Sequence, residues 1–276
     1  MNKNHLHFLK HINTPEFKDL KKKMKPLNIG TDCSGIEAPL QALELLKIPY
    51  KHIFSCDNDK HVIENIKGNY NPEIIYEDIF NRDYKTLPKL DGYIAGFPCQ
   101  TFSTLGKRAG FNEINGTIFF CCYKAIKYTK PKFFILENVK GLLNHNKGNT
   151  FKVILDKLDK LKDYNIYWKL YNTKDYGIPQ NRERIYIIGI KKKYEHNFKY
   201  PEPIKLEVFV KDILIKGPVD NKFGYLTEHK TNLLQNLIKS NKIDTFKKDW
   251  SVNLNVSNYK RCGQMLKVCP CLLAGN

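Results

Sequence analysis

Tyr93-Ile94-Ala95-Gly96-Phe97-Pro98-Cys99-Gln100-Thr101-Phe102-Ser103 is the stretch on which the fold of this chain turns. The run from Tyr93 to Phe97 is short, apolar and unbroken, which predicts a strand buried on both faces of a parallel sheet. Pro98 then closes the strand, and its fixed φ helps to aim the residue that follows. That residue is Cys99. A thiol at the carboxyl end of such a strand stands where open α/β sheets place their chemistry.

Working outward, the same texture repeats. Upstream, Leu27–Thr31, His52–Cys56 and Glu73–Tyr76 read as strands, separated by helical periodicity over Ala38–Leu46 and His61–Tyr70. Downstream, Thr117–Tyr128 reads as a helix, Lys132–Leu136 as a strand and Phe151–Leu161 as a helix. Tyr164–Tyr171 and Arg184–Ile190 follow as a closing pair of strands. Strands alternating with helices predict an α/β fold, a doubly wound, Rossmann-like sheet spanning residues 27–190. Residues 1–26 form a basic N-terminal extension containing Lys21-Lys22-Lys23. Beyond Ile190 the chain turns lysine- and asparagine-rich, carries Pro201, Pro203 and Pro218, and loses periodicity, so residues 191–276 are expected to be a smaller, partial region.

The whole chain has 276 residues and a formal charge of +18. Positive charge spread over the full length points to a polyanionic partner, most simply nucleic acid. No stretch has the length of an apolar membrane span, and the N-terminus lacks a signal-peptide core, so an intracellular, soluble, cytoplasmic protein with no membrane partner is expected. The eight cysteines contain no Cys-x-x-Cys pair. Cys262, Cys269 and Cys271 have no usable histidine nearby, and reduced thiols rather than a metal site or disulfides are expected.

The loops at the strand ends carry the chemistry. Thr31-Asp32-Cys33-Ser34-Gly35-Ile36-Glu37 occupies the first strand-to-helix turn, where a doubly wound fold binds a nucleotide-like ligand. Asp57-Asn58-Asp59 ends the second strand, where a carboxylate can accept ribose hydroxyls. Glu77-Asp78-Ile79 follows the third, within reach of an adenine amino group. Acids in register with successive strand ends predict an adenosine-containing cofactor, and the lack of a Gly-x-x-x-x-Gly-Lys-Ser/Thr loop argues against a nucleoside triphosphate. Glu137-Asn138-Val139 follows the strand ending at Leu136, facing the same crevice as Cys99. Alternation from Gln180 is expected to put Gln180, Arg182 and Arg184 on one side, with guanidinium planes suited to phosphate or a base oxygen.

On three segments the chain resembles the cytosine carbon-5 DNA methyltransferases, which use S-adenosylmethionine. They are Gly96-Phe97-Pro98-Cys99-Gln100-Thr101-Phe102-Ser103, Leu136-Glu137-Asn138-Val139 and Tyr176-Gly177-Ile178-Pro179-Gln180-Asn181-Arg182-Glu183-Arg184. The resemblance runs from about Leu27 to Ile190. It implies Cys99 as nucleophile, Glu137 as the carboxylate holding the base, and Arg184, supported by Arg182, as the base-contacting arginine. It implies a cofactor site of Ser34, Gly35, Ile36, Asp57, Asn58, Asp78, Ile79 and Pro98. It implies double-stranded DNA as substrate, with the target cytosine flipped out of the duplex.

The chemistry explains the residue types. Cytosine carbon 5 is too weak a nucleophile to attack a sulfonium methyl until a thiolate adds at carbon 6. A carboxyl group at ring nitrogen 3 and an arginine at the base oxygen then draw charge from the ring. Gln100 to Gly116, with glycines at 106 and 110, suits a lid over DNA in which Gln100, Ser103, Lys107 and Arg108 make contacts, alongside Gln180. The Cys-Phe-Thr tripeptide of the tRNA-modifying branch is absent. Two departures stand out: Cys33 replaces the usual aromatic before Ser-Gly, and Glu37 and Ala38 replace later glycines. The family's closing arginine motif, Gly-Asn segment and helix have no counterpart after Cys269-Pro270-Cys271-Leu272-Leu273-Ala274-Gly275-Asn276. A target-recognition region cut short is therefore expected, with a separate C-terminal fragment or a cognate restriction enzyme as partners. The alternative expectation is a catalytically inactive or split DNA-binding relative.

Overall fold

A computed structural model describes residues 14–98, 118–213, 227–240, 250–252, 264–266 and 269–270. The chain divides into two compact units. One holds Asn13–Leu170 with Arg184–Tyr200, the other Met1–Ile12, Tyr171–Glu183 and Pro201–Asn276.

The first unit opens with α1 (Pro15–Lys23), whose start is capped by the Thr14 hydroxyl and whose last turn carries Lys21, Lys22 and Lys23. That placement of cations complements the helix dipole. Then come β1 (Leu27–Asp32), α2 (Ala38–Leu46), β2 (Tyr50–Cys56), α3 (Lys60–Asn69), β3 (Ile74–Tyr76) and β4 (Gly92–Ala95). After α4 (Ile118–Thr129) follow β5 (Phe133–Val139), α5 (Asn149–Leu158) and β6 (Tyr164–Asn172), whose last residues pass into the second unit. The strand β7 (Gln180–Asn181) belongs to the second unit, and β8 (Glu183–Lys191) returns the chain to the first.

The main sheet has seven strands in the order β3-β2-β1-β4-β5-β8-β6. Pairings from β3 through β5 are parallel, whereas β8 runs antiparallel to β5. The strand order reverses between β1 and β4, so the crevice above their carboxyl ends is the switch point where such sheets bind ligands. Phe119, Phe120, Cys122 and Ile126 of α4 and Phe151, Ile154 and Leu158 of α5 share one core cluster with Phe54, Tyr93, Phe134, Leu136, Ile185 and Ile187 of the strands. Ile29, Leu40, Ile63 and Ile66 are buried without joining it, as a sheet covered by helices on both faces requires. Packing is tight where β5 meets β8. A Cβ on Gly189 would lie 2.1 Å from the Phe134 ring, so only glycine admits that contact.

Two elements extend beyond their apolar runs. The β5 ladder continues through Glu137, Asn138 and Val139, because β8 keeps pairing with it down to Arg184. In β2 the register jumps between Ile29/His52 and Gly30/Phe54, leaving Ile53 as an extra residue. That bulge shifts the alternation so that His52 and Ser55, three apart, point to the same side and hydrogen-bond at 2.9 Å.

In the second unit, β7 pairs in parallel with β11 (Cys269–Pro270), and β9 (Trp250–Val252) pairs antiparallel with β10 (Gln264–Leu266). It also contains α6 (Val210–Ile213) and α7 (Glu228–Lys239), the latter capped by Thr227 and burying Leu233 and Leu237. No helix among the described residues is long and apolar enough to cross a membrane.

Candidate active site

The carboxyl ends of β1, β2 and β3 bring three of the predicted loops together. Ser34 is buried, and its hydroxyl is committed to Thr31 Oγ1 at 2.8 Å and to the backbone of Cys56, whose N–H donates to it at 3.0 Å. The Ser34 N–H in turn donates to the Cys56 carbonyl, so the first loop is stitched to the end of β2. Gly35 lies at φ +53 with no atom within 4 Å of where a side chain would begin. Its N–H donates to Asp57 Oδ2 at 3.0 Å, while Asp57 Oδ1 accepts from the Asp59 N–H. A carboxylate has about four acceptor sites, so Asp57 retains capacity for hydroxyls of a ligand. Ile36 is 62% exposed and Phe80, next to Ile79, is 49% exposed. Open space beside a glycine, an acceptor with spare capacity and two uncovered apolar side chains suit a nucleoside with an apolar face, so the donor set fits S-adenosylmethionine.

Asn58 is exposed. Asp78 forms a local turn, accepting from the Phe80 N–H at 2.7 Å and from Asn81 Nδ2 at 2.6 Å. Ile79 is buried, and its carbonyl accepts a hydrogen bond from the Tyr84 hydroxyl.

At the β4 and β5 ends the geometry is tighter. Arg184 Nε lies 3.1 Å from Glu137 Oε1, with 13% of the arginine and 27% of the glutamate side chain exposed. Register explains the pair: Arg184 sits opposite Val139 on the antiparallel partner strand, two positions from Glu137. The neighbouring Asn138 is buried and donates from Nδ2 to the Phe97 carbonyl at 2.8 Å. A Cβ on Gly96 would stand 3.6 Å from Glu137 Oε2. The segment running into Cys99 is thus tied to the strand end that carries Glu137, with Phe97 buried against Phe119 and Pro98 exposed. Cys99, Gln100, Ser103, Lys107 and Arg108 lie outside the described residues.

Gln180 and Arg182 belong to the second unit. The alternation expected to run from Gln180 to Arg184 is interrupted, because the Arg182 N–H folds back to the Gln180 carbonyl at 3.2 Å and β8 begins after it. Gln180 instead pairs with Cys269 and accepts from Thr173 Oγ1 through its carbonyl at 2.5 Å.

Two buried networks beneath these loops escaped the sequence reading. Asp32, at the end of β1, receives both terminal nitrogens of Arg82, with Nη1–Oδ1 at 2.7 Å, and the Tyr93 hydroxyl at 2.5 Å. Burial opposes the Arg82 charge, but the Asp32 carboxylate holds its pKa above the ordinary value. Glu37, at the end of the first strand-to-helix turn, is fully buried at φ 56, and its Oε1 accepts from Thr31 at 2.7 Å and Ser55 at 2.6 Å. Among the described residues neither Glu37 Oε2 nor His52 Nδ1 has a hydrogen-bond partner. No spacing rule links positions 32 and 82, and the bulge that brings His52 to Glu37 leaves no mark in the residue types. The thiol of Cys33 is pushed well up by burial and by the Asp32 and Asp57 charges, and that of Cys56 is pushed up by burial to about 12.

A sheet with its switch point over these loops, and a Glu–Arg pair beside the Gly96-Phe97 segment, define a Rossmann-like methyltransferase fold. Residues 27–268 match the C-5 cytosine-specific DNA methylase family, and the chain belongs to it. It is 44% identical over 176 residues to type II methyltransferase M1.ScrFI of Lactococcus lactis subsp. cremoris, covering 63% of this chain and 44% of that protein. With type II methyltransferase M.Bsp6I of Bacillus sp. (strain RFL6) the identity is 36% over 233 residues, 82% of this chain and 70% of that one. The chain spans about half the length of several curated relatives it matches. Among solved structures, a mutant of Spodoptera frugiperda DNMT2 shares the fold at a TM-score of 0.59 and 18% identity, over 76% of this chain and 65% of that one.

Proposed function

We propose that this chain is a DNA (cytosine-5-)-methyltransferase, transferring a methyl group from S-adenosylmethionine to carbon 5 of a cytosine flipped out of duplex DNA, through a covalent adduct with Cys99. Family membership and the type II methyltransferase relatives support the reaction class. The observation that carries the reading is the Glu137–Arg184 pair, standing beside the Gly96-Phe97 segment that leads into Cys99.

Ser34, Gly35, Ile36, Asp57, Asn58, Asp78, Ile79 and Pro98 hold the cofactor, which when bound supplies an electrophilic methyl on a sulfonium. The chain's own residues prepare the base. Cys99 adds as thiolate to carbon 6, and the electrons of the ring double bond move to carbon 5, making it nucleophilic. Glu137 hydrogen-bonds ring nitrogen 3, and Arg184, with Arg182 in support, binds the base oxygen where negative charge develops. Once carbon 5 is methylated its proton leaves to a base, the double bond re-forms, and Cys99 departs as thiolate. Gln100, Ser103, Lys107, Arg108 and Gln180 contact DNA, and residues 191–276 read the target. A separate C-terminal fragment and a cognate restriction enzyme are the protein partners that this reading allows, and the place of work is inside the cell.

Transfer of tritiated methyl from S-adenosylmethionine to mixed-sequence duplex DNA tests the proposal. Incorporation at cytosine carbon 5 that Cys99→Ala abolishes is the expected outcome. DNA binding without incorporation, also after supplying a candidate C-terminal fragment, would favour the inactive DNA-binding reading.

A further inference from the structure

We propose that Arg82 is a positioning residue for the cofactor, fixing the loop after β1 and the loop after β3 at the separation that lets one S-adenosylmethionine molecule engage both. The proposal rests on reading the crevice above β1–β3 as the cofactor site. Asp32 immediately precedes Cys33-Ser34-Gly35-Ile36, the first of the loops assigned to the cofactor. Arg82 follows Asp78-Ile79, assigned to the adenine end, and reaches across to Asp32 with both terminal nitrogens. Its guanidinium lies over the rings of Phe54, Tyr76 and Tyr84, at 5.3, 5.3 and 5.0 Å from their centres. Tyr84 closes the link by donating its hydroxyl to the Ile79 carbonyl. On the other side, Tyr93 donates to the same Asp32 carboxylate from β4, the strand leading to Pro98. The buried Arg82–Asp32 pair, with Tyr93 on the same carboxylate, therefore joins the carboxyl end of β1 and strand β4 to the loop leaving β3.

Stability alone does not account for this arrangement. A buried ion pair adds little over apolar residues of the same volume. Arg82 Nε also lacks a hydrogen-bond partner among the described residues, so the group is not fully satisfied even when folded. What an apolar pair cannot supply is a directional, two-pronged tether between loops, since the planar fork fixes angle as well as distance. Both ligands carry the nucleoside, but only S-adenosylmethionine adds a methionine arm, which in this reading runs along the loop after β1 and depends on where that loop is held. The ratio of their affinities therefore reports the tether.

The test is calorimetric titration of the full chain with S-adenosylmethionine and, separately, with adenosine. It compares the native protein, the double variant Asp32→Asn with Arg82→Met, and Tyr84→Phe, with folding checked by circular dichroism. The double variant, with the buried Asp32–Arg82 ion pair removed as a unit, should bind S-adenosylmethionine at least about tenfold more weakly and adenosine within about twofold of the native protein. Should the double variant not fold, Tyr84→Phe decides, with an expected selective loss of about threefold in S-adenosylmethionine affinity. Equal losses for both ligands, or none for either, in a folded variant overturn the proposal and leave the cofactor site standing. A native chain that binds neither ligand overturns both the inference and the site assignment beneath it.

Discussion

Glu137 is held by two neighbours of different kind: Arg184 pairs with its Oε1, and Gly96 leaves room beside Oε2. Glu137→Gln keeps the shape but loses the acid, and should lower kcat by about 10²- to 10⁴-fold with little change in stability, read by single-turnover methyl transfer beside thermal unfolding. Arg184→Ala removes the pairing and, on the proposed mechanism, the contact to the base oxygen, so it should reduce kcat/KM by about 10²-fold or more. The thiols make a different kind of prediction. In the unfolded chain they ionise near the ordinary value of 9.0, whereas folding holds Cys56 neutral up to about 12 and also raises Cys33, Cys121 and Cys122. Their contribution to stability is therefore complete below the unfolded value and is lost as pH climbs above it. Each thiol that ionises in the unfolded chain but stays protonated in the folded one adds to the loss in that window. Denaturant unfolding should show a chain clearly weaker at about pH 10 than at about pH 8, and part of that difference should vanish in Cys56→Ala.

At the scale of elements, β5 and β8 pair antiparallel from Phe133/Ile190 to Val139/Arg184, and their contact is close. Gly189→Ala would drive a methyl into the Phe134 ring and should cost about 1–3 kcal/mol, seen as a lower Tm. Asn138→Ala would leave the Phe97 carbonyl without its donor and should cost about 1–3 kcal/mol, while loosening the segment before Cys99. Much of this level was legible in the sequence. The helix at Ala38–Leu46 has the predicted bounds, and the strands of the parallel half start or end within a few residues of the apolar runs. Where reading and structure part, the reason is a partner strand. Hydropathy stops at Leu136, but β5 continues to Val139 because β8 supplies a ladder there, so Glu137 sits inside the strand rather than after it. Near Gln180 a turn at Arg182 breaks the expected alternation. The candidate site was legible only as residue types at strand ends. Its supports were not, since Asp32 and Arg82, or Glu37 and His52, meet only once the sheet is formed.

For the whole molecule, charge dominates. A surplus of +18 sets the long-range field, and binding to duplex DNA should release condensed counterions. If about six or more phosphates are contacted, affinity for a non-cognate duplex should fall by about 10³-fold or more between low and near-physiological salt, measured by fluorescence anisotropy. Substituting Glu137 should leave that slope alone, because the crevice is separate from the general attraction.

The clamp between Asp32 and Arg82 also bears on how such a chain can change over generations. Losing either partner strands a charge in the interior, so a lone substitution passes through a weakened intermediate, whereas exchanging both restores a sound core. Across a lineage these two positions, fifty residues apart in the chain, should therefore mutate as a couple, inherited together or replaced together. Ancestral sequences reconstructed along the branch should then show few forms that kept one and not the other.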